Sequence, residues 1–185
     1  MNNSEKLILA SGSPRRAELL HQAGLQFEII IPDIDESPLP GEKPDAFVLR
    51  TAREKAESIP AKDAVILAAD TAVVDGDRIL GKPATAEDAK AMLRSLSDRT
   101  HEVMTGVCLR FPNRTDCFHI ETKVTFRKIS EQEISEYVES GEPMDKAGAY
   151  AIQGGAAKMV RRVEGSYSNV VGLPLCEVIE KLETI

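Results

Sequence analysis

The sequence predicts an α/β protein built on a mixed β-sheet. Apolar runs of strand length alternate with helical patterns at both ends of the chain, and two long β segments follow one another directly near its middle. Strands separated by a helix usually pair in parallel, whereas strands joined by a short turn pair antiparallel. Because the chain contains both kinds of connection, we expect a mixed sheet rather than a purely parallel one.

The individual elements follow from local signals. Pro14 and Pro44 mark helix starts, Thr85 caps a third helix, and Ser130 opens a capping box. An Asp-Gly pair between two short apolar runs predicts a hairpin turn at 75–76. The predicted strands span residues 6–10, 26–31, 64–69, 72–74, 78–80, 101–111, 117–127 and 157–163. The predicted helices span residues 14–23, 44–59, 86–96, 131–141 and 174–183.

Length and composition bound the class of protein. A chain of 185 residues, 42% hydrophobic and 29% charged, fits one globular domain or two lobes that share one sheet. It has no apolar run of about 18 residues, the length that predicts a membrane span. The polar start at 1–6 lacks the apolar stretch of a signal peptide. The expected location is therefore the cytoplasm, with no membrane partner.

Charge and cysteine content exclude further classes. A formal net charge of −7 argues against a nonspecific nucleic-acid binder, which needs a basic surface, so we expect no nucleic-acid partner. Any phosphate must be held locally by a few placed cations. Cys108, Cys117 and Cys176 are an odd number without metal-ligand spacing, so reduced thiols are expected, with neither a disulfide nor zinc. The three histidines have no ligand spacing either.

The Ser-Gly-Ser-Pro-Arg-Arg segment directly after the first predicted strand indicates an anion site. Pro14 suits the first helical position, where its missing N–H would have no helical partner, and Ser13 can cap the helix. The unpaired N–H groups and the positive end of the helix dipole would face an anion, with Ser11, Arg15 and Arg16 as donors. From these residues alone, a capped helix start with two solvated arginines is the alternative.

Carboxylates stand out in two places. Residues 33–37, Asp-Ile-Asp-Glu-Ser, lie in a predicted loop, where a solvated turn is the ordinary outcome. Asp70 follows a nearly all-apolar strand, and the carboxyl ends of strands are where α/β folds bind ligands. A carboxylate in that position acts as a metal ligand, a base or a helix cap, and we favour one of the two functional roles.

Two lysines and one small-residue segment remain. Lys55 borders the apolar stripe of its helix, where its stem would cover the core while its ammonium reaches water. Lys82 stands on a Gly-Lys-Pro turn that lacks the spaced glycines of a Walker A loop. The segment 141–154 is rich in glycine and alanine, which let backbone approach a ligand closely. A tight crossing between lobes would have the same composition.

Together these motifs resemble one family along nearly the whole chain, the Maf-like nucleoside triphosphate pyrophosphatases. The matching motifs occur in the family's order at residues 11–16, 33–37, 53–56, 69–71, 81–83, 145–154 and 165–175. The resemblance implies one Maf-like catalytic domain over residues 1–185, with two lobes around an elongated mixed sheet and the site in a central cleft. That fold is shared more distantly with inosine triphosphate pyrophosphatases. The implied reaction converts a nucleoside triphosphate to a monophosphate and pyrophosphate.

The resemblance assigns the phosphate-binding and catalytic residues by position. The phosphates are expected to lie on Ser11, Ser13, Arg15 and Arg16. The catalytic residues are expected to be Asp70, Lys55 and Lys82, with Asp70 as the base that takes a proton from water. The two lysines would neutralise the phosphates. The motif departs from the family's pattern at Ala151, where glycine is usual, and a methyl group is tolerated there unless the backbone has a positive φ.

The resemblance also implies a cofactor and a substrate class. A divalent cation, Mg²⁺ or Mn²⁺, would be held by Glu36, Asp70 and Asp35, because hard cations prefer oxygen ligands. The combination of Arg15, Thr71 and Gln153 is similar to that of the subgroup acting on dTTP and UTP. Normal and modified pyrimidine nucleotides would use the same chemistry, so the sequence leaves the physiological substrate open.

Two alternative functions fit the same motifs. One is a nucleotide-binding regulator of cell division, since the family's name comes from inhibition of septum formation. The other is a pyrophosphatase for noncanonical purine triphosphates, such as ITP or methylated GTP. The expected partner in each case is a small-molecule nucleoside triphosphate. The resemblance suggests a homodimer, and the sequence leaves the oligomeric state open.

Overall fold

The computed structural model describes residues 6–183. The prediction about a signal peptide depends on the first residues of the chain, and residues 1–5 lie outside this range. The described strands are β1 (Lys6–Ala10), β2 (Glu28–Ile29), β3 (Ala64–Asp75), β4 (Arg78–Leu80), β5 (Thr100–Arg110), β6 (Thr115–Phe126) and β7 (Val160–Glu164). The α-helices are α1 (Pro14–Gln22), α2 (Pro44–Glu57), α3 (Ala86–Leu96), α4 (Glu131–Glu139), α5 (Tyr167–Val171) and α6 (Leu175–Glu183). Short 3₁₀ helices span Glu142–Asp145, Ala147–Ala149 and Gly155–Met159.

The strands form one mixed sheet, as the sequence predicts. Its order is β2-β1-β3-β5-β6-β7, and β4 pairs with β3 off this path. β1 lies parallel to both β2 and β3, and its last residue, Ala10, is opposite Ala68. β3 and β4 form the predicted antiparallel hairpin, and β6 pairs antiparallel with β7. The α/β fold class with a mixed sheet is therefore confirmed.

The contacts within the chain divide it into two compact units. Unit 1 comprises Met1–Thr71, Thr105–Ile120 and Gly172–Ile185. Unit 2 comprises Ala72–Met104 and Glu121–Val171. Unit 1 thus contains the residues predicted to bind phosphate and metal, whereas Lys82 and Gln153 belong to unit 2.

Unit 1 packs α2 against the sheet. Ala52 and Ala56 of α2 are fully buried against a cluster that includes Ile8 of β1 and Ile66 of β3. Gly106 of β5 lets the strand backbone lie directly on the helix, because a Cβ there would fall 2.2 Å from the carbonyl oxygen of Val48. This close approach fixes the helix against the strand.

Unit 2 contains a buried aromatic cluster. The rings of His101, Phe126 and Tyr150 pack edge to face, with centroids 4.9 to 5.4 Å apart. The imidazole Nε2 of His101 lies 2.8 Å from the Tyr150 hydroxyl. The predicted caps are confirmed, since Thr85 is the N-cap of α3 and Ser130 is the N-cap of α4, each with a reciprocal capping box.

The structure differs from the sequence predictions in several elements. The predicted strand at 26–31 shortens to a two-residue edge strand, and 157–159 belong to a 3₁₀ helix that precedes β7. Helix α5 was not predicted, because five residues are too short for a helical period to show. Within residues 6–183, no helix has the length and apolar composition needed to cross a bilayer.

The expectation of three reduced thiols is wrong for two of them. Cys108 of β5 and Cys117 of β6 form a disulfide, with their Cα atoms 4.2 Å apart. The two strands follow one another in the chain, so their residues can face each other across a hairpin, which an odd cysteine count does not reveal. Cys176 is a free, exposed cysteine.

Candidate active site

The turn between β1 and α1 presents an oriented hydroxyl. Ser11 is buried, and its Oγ accepts hydrogen bonds from the Ser13 N–H at 3.1 Å and from Nη1 of Arg16 at 3.0 Å. Both acceptor positions are therefore used, and the hydroxyl proton is left to donate. Ser13 occupies the N-cap position of α1 but makes no side-chain capping hydrogen bond, so the predicted cap is wrong. Pro14 begins α1, as predicted.

The two arginines of this turn differ in their surroundings. Arg16 is buried, and its guanidinium also donates to the Gly172 carbonyl at 2.8 Å and to Thr71 Oγ1 at 3.1 Å. Arg16 thus braces the turn against two other segments of unit 1. Arg15 is half-buried, and no residue of the described range forms a hydrogen bond with its guanidinium. The phosphate-binding role of both arginines stays a prediction, and this difference favours Arg15 for direct contact.

Lys55 of α2 joins two carboxylates. Its Nζ donates to Asp70 Oδ1 and to Glu36 Oε2, each at 2.7 Å. The Lys55 side chain is only 5% exposed and that of Asp70 is 11% exposed, whereas Glu36 is half-exposed. The expectation that the Lys55 ammonium reaches water is wrong, because the buried Asp70 carboxylate holds it inside unit 1.

Asp70 does not end its strand, contrary to prediction. β3 continues through it to Asp75, so the predicted strands at 64–69 and 72–74 are one element. The pairing of β3 with β1 nevertheless stops at Ala68, so Asp70 lies just beyond the carboxyl end of its parallel neighbour. Burial raises the pKa of Asp70 above its ordinary value, and the Lys55 ammonium opposes that rise. A carboxylate whose pKa is raised is suited to accept a proton near neutral pH.

One residue of the loop at 33–37, Glu36, contacts the pair of Lys55 and Asp70. Glu36 contacts Lys55, while Asp35 accepts a hydrogen bond from the Ser37 N–H at 2.9 Å in an exposed turn. The loop is held by Arg50 of α2, which donates to the Ser37 carbonyl and forms a bidentate pair with Glu42. Sequence reasoning missed Arg50, although its i,i+4 spacing from Glu54 on the same helix was a usable signal.

The carboxylates are suited to one kind of metal site. Glu36 and Asp70 converge on a single cation, the Lys55 ammonium, whereas no group of three or more metal-binding side chains occurs within residues 6–183. Mg²⁺ usually takes one or two protein carboxylates together with substrate phosphates and water. The donor set therefore fits a cation that arrives together with a phosphate-bearing ligand. Asp35 is not part of this converging pair.

Thr71 lies beside Asp70 with its hydroxyl engaged. Thr71 Oγ1 accepts from Arg16 and lies 2.9 Å from Thr105 Oγ1 and 3.4 Å from the Gly172 carbonyl. These contacts fix the side chain beside the turn between β1 and α1. Its role in specificity stays a prediction.

Unit 2 carries the other predicted site residues. Lys82 and Gln153 are both exposed. The Gly148 N–H donates to the Gly81 carbonyl at 3.1 Å, which ties the turn of Lys82 to the segment that leads to Gln153. Ala151 is not among the described residues with positive φ, so the methyl group at this departure from the family's pattern is tolerated, as expected.

Two residues missed by the sequence analysis hold the segment around Gln153. The Ala151 N–H donates to the Tyr137 hydroxyl at 3.1 Å, and the Gly155 N–H donates to Glu142 Oε2 at 2.9 Å. A surface depression of about 360 Å³ adjoins them, lined by Glu136, Tyr137, Ser140, Glu142, Gly155 and Lys158. None of the predicted site residues lines it.

The family comparison agrees with the sequence motifs. Residues 6–185 match the sequence model of the Maf family, which is described as Maf-like protein. This chain is 50% identical to a protein from Geobacter metallireducens, over 100% of this chain and 98% of the relative. It is 54% identical to one from Anaeromyxobacter dehalogenans, over 93% of this chain and 90% of the relative. Both relatives are named dTTP/UTP pyrophosphatase. The chain belongs to the Maf family, as predicted.

Solved structures agree on the fold. A HAM1 protein from Coxiella burnetii aligns with a TM-score of 0.52 at 17% identity, covering 98% of this chain and 100% of that one. The Ham1 protein of Staphylococcus aureus aligns with a TM-score of 0.53 at 14% identity, covering 97% and 100%. At such low identity these likenesses concern the fold alone.

Proposed function

We propose that the protein is a nucleoside triphosphate pyrophosphatase that hydrolyses dTTP and UTP to the monophosphate and pyrophosphate. The observation that carries this function is the buried Asp70 carboxylate, held on Lys55 just beyond the carboxyl end of β1. The names of the relatives support the substrate class. Modified pyrimidine nucleotides, which would present the same phosphates, belong to the same proposed class.

The phosphates bind at the start of α1. Ser11 offers its hydroxyl proton, and Arg15 offers a guanidinium with no protein hydrogen bond in the described range. The N–H groups of the first helical turn face the same side and favour an anion. Arg16 keeps this turn in place through Thr71 and Gly172.

Asp70 takes the proton from the attacking water. Water then adds to the α-phosphorus, the bond from that phosphorus to the bridging oxygen breaks, and pyrophosphate leaves with the electron pair. Lys55 keeps the Asp70 carboxylate oriented and offsets its charge. A divalent cation on Glu36 and Asp70 would neutralise phosphate charge and lower the pKa of bound water.

The base is selected by the amide of Gln153. A primary amide both donates and accepts, so it matches the O4/N3 edge shared by thymine and uracil. Cytosine presents a donor at position 4, which leaves one polar group unpaired at a cost of about 1–3 kcal/mol. We therefore expect at least about a tenfold preference for dTTP and UTP over dCTP and CTP.

The remaining partners follow from this reaction. The substrate is a small molecule, and a divalent cation is its proposed companion. Nucleoside triphosphate pools place the reaction in the cytoplasm. The proposal also includes a homodimer, which the family resemblance suggests.

A panel of kcat/KM values over the eight common ribo- and deoxynucleoside triphosphates, ITP and methylated GTP tests the proposal. Pyrophosphate release should be highest with dTTP and UTP. A clear purine preference would reject the pyrimidine assignment in favour of a purine-clearing enzyme. Nucleotide binding without pyrophosphate release, with Mg²⁺ or Mn²⁺ supplied, would reject the enzyme in favour of a nucleotide-binding regulator.

A further inference from the structure

Residues 151–155 form a tight segment of unit 2 that presents Gln153. Ile152 is buried, Gln153 is exposed, and the Gly154 N–H donates to the Ala151 carbonyl at 3.0 Å. These contacts are local and leave the N–H groups of Ala151 and Gly155 to be satisfied from outside the segment. Those two N–H groups lie on either side of Gln153 in the sequence.

Two side chains from outside the segment accept these N–H groups. The Tyr137 hydroxyl of α4 accepts from Ala151 at 3.1 Å, and Glu142 Oε2 accepts from Gly155 at 2.9 Å. Burial raises the pKa of the Tyr137 hydroxyl, and the nearby Glu142 carboxylate raises it further, so the two acceptors also interact with each other. The segment is therefore held on both sides of Gln153, by Tyr137 on one side and by Glu142 on the other.

The backbone packs closely on both acceptors. A Cβ at Gly154 would fall 1.9 Å from Glu142 Oε1, and a Cβ at Gly155 would fall 3.0 Å from Tyr137 Cε2. Any side chain at Gly154 would push Glu142 away. The two glycines thus allow the segment to lie directly against the two acceptors.

We propose that Tyr137 and Glu142 are positioning residues for base selection, which clamp residues 151–155 so that the Gln153 amide is held in one orientation. This inference rests on the proposed role of Gln153. A hydrogen bond selects between bases only if the amide cannot turn to suit the other edge. Without the clamp the Gln153 amide could turn, and the protein would then accept thymine and cytosine more equally.

Tyr137→Phe tests the clamp by removing only the hydroxyl. We expect the ratio of kcat/KM for dTTP to that for dCTP to fall about fivefold, the equivalent of one net hydrogen bond. Glu142→Gln should lower the same ratio. The double variant should lose little more than either single variant, because the two residues act as one unit. Gly154→Ala should also lower it, since its methyl group would displace Glu142.

Tyr150→Phe is the matched control. It removes another buried tyrosine hydroxyl of unit 2, one that contacts His101 rather than the segment. It should lower the unfolding temperature and leave the dTTP to dCTP ratio unchanged. In hydrogen exchange followed by NMR, Tyr137→Phe should speed exchange at the Ala151 and Gly155 amides, and Tyr150→Phe should not.

The outcomes separate this inference from the function on which it rests. If Gln153→Ala lowers the ratio and Tyr137→Phe and Glu142→Gln leave it intact, the clamp is rejected and the role of Gln153 stands. If Gln153→Ala itself leaves the ratio unchanged, base selection by Gln153 is rejected, and the clamp is rejected with it. Equal loss of selectivity in Tyr150→Phe would assign the effect to general destabilisation and overturn the clamp.

Discussion

Lys55 and Asp70 form a buried ion pair with an Nζ to Oδ1 distance of 2.7 Å. The pair joins α2 to β3, and Glu36 shares the same ammonium from the loop before α2. The buried Arg16 guanidinium also interacts electrostatically with both carboxylates, so two basic and two acidic side chains balance in charge here. Such a site is suited to receive a cation together with a polyanionic substrate.

Asp70→Asn should lower kcat by about 10²–10⁴-fold, because an amide cannot take a proton from water. Nucleotide binding should persist, since the phosphates are held by other residues. Steady-state kinetics and equilibrium binding of a nucleotide measure the two effects. Unchanged turnover in folded Asp70→Asn protein would remove this residue from the mechanism.

Lys55→Met should destabilise the protein by about 3–5 kcal/mol, because it takes from the buried Asp70 carboxylate the cation that is hydrogen-bonded to it. Adding Asp70→Asn to Lys55→Met should recover much of that loss, since the double variant removes both charges of the pair. Urea unfolding of the four proteins measures the coupling. Additive losses would contradict the pairing.

Glu36→Gln should raise the Mg²⁺ concentration that gives half-maximal rate, because it removes one of two converging carboxylates. Asp35→Asn is the control one residue away, where the carboxylate accepts from Ser37 instead. A metal titration of both variants distinguishes them. Full activity of the parent protein in excess EDTA would reject the metal.

Lys82→Ala should lower kcat/KM for all triphosphates by a similar factor, because a phosphate contact carries no information about the base. Lys128→Ala, at another exposed lysine of unit 2, is the control. The same nucleotide panel measures both. A Lys82→Ala enzyme with normal kcat/KM would leave Lys82 as an ordinary surface lysine.

Stability should fall in mild acid because of His101. Burial lowers the pKa of His101 from 6.5 to about 4, so below pH 6.5 the unfolded chain binds a proton that the folded protein does not. By linkage, this residue alone should remove about 2 kcal/mol of unfolding free energy between pH 7 and pH 5. Urea unfolding at both pH values measures the loss. The His101→Gln variant should lose less unfolding free energy between pH 7 and pH 5. An equal loss in that variant would assign the pH dependence to other groups.

The sequence predicted the elements whose signals are local. Pro14, Thr85 and Ser130 act through the first turn of their own helices, so their positions could be predicted without knowledge of the fold. A local signal also explains the wrong prediction that a strand ends before Asp70. Its polar side chain resembles a strand end, although an ion pair with Lys55 lets it remain inside a continuous strand.

Contacts between residues that are far apart in the chain could not be predicted from the sequence. The brace from Arg16 to Gly172 spans 156 residues, and the bond from Tyr137 to Ala151 depends on how α4 packs. Cys108 and Cys117 likewise face each other only once β5 and β6 are paired. The family resemblance named candidates at Lys55 and Gln153, but which groups hold them required the structure.

Gly106 has no side chain to take part in the chemistry, yet the geometry of the proposed catalytic pair, Lys55 and Asp70, depends on it. Its missing Cβ lets the backbone of β5 touch α2 at Val48, two helical turns before Lys55. An alanine at 106 would push the helix outward and carry the ammonium with it, away from Asp70. A search for inactivating mutations should therefore find this position, where the loss would come from a shift of the helix rather than from a missing reactive group.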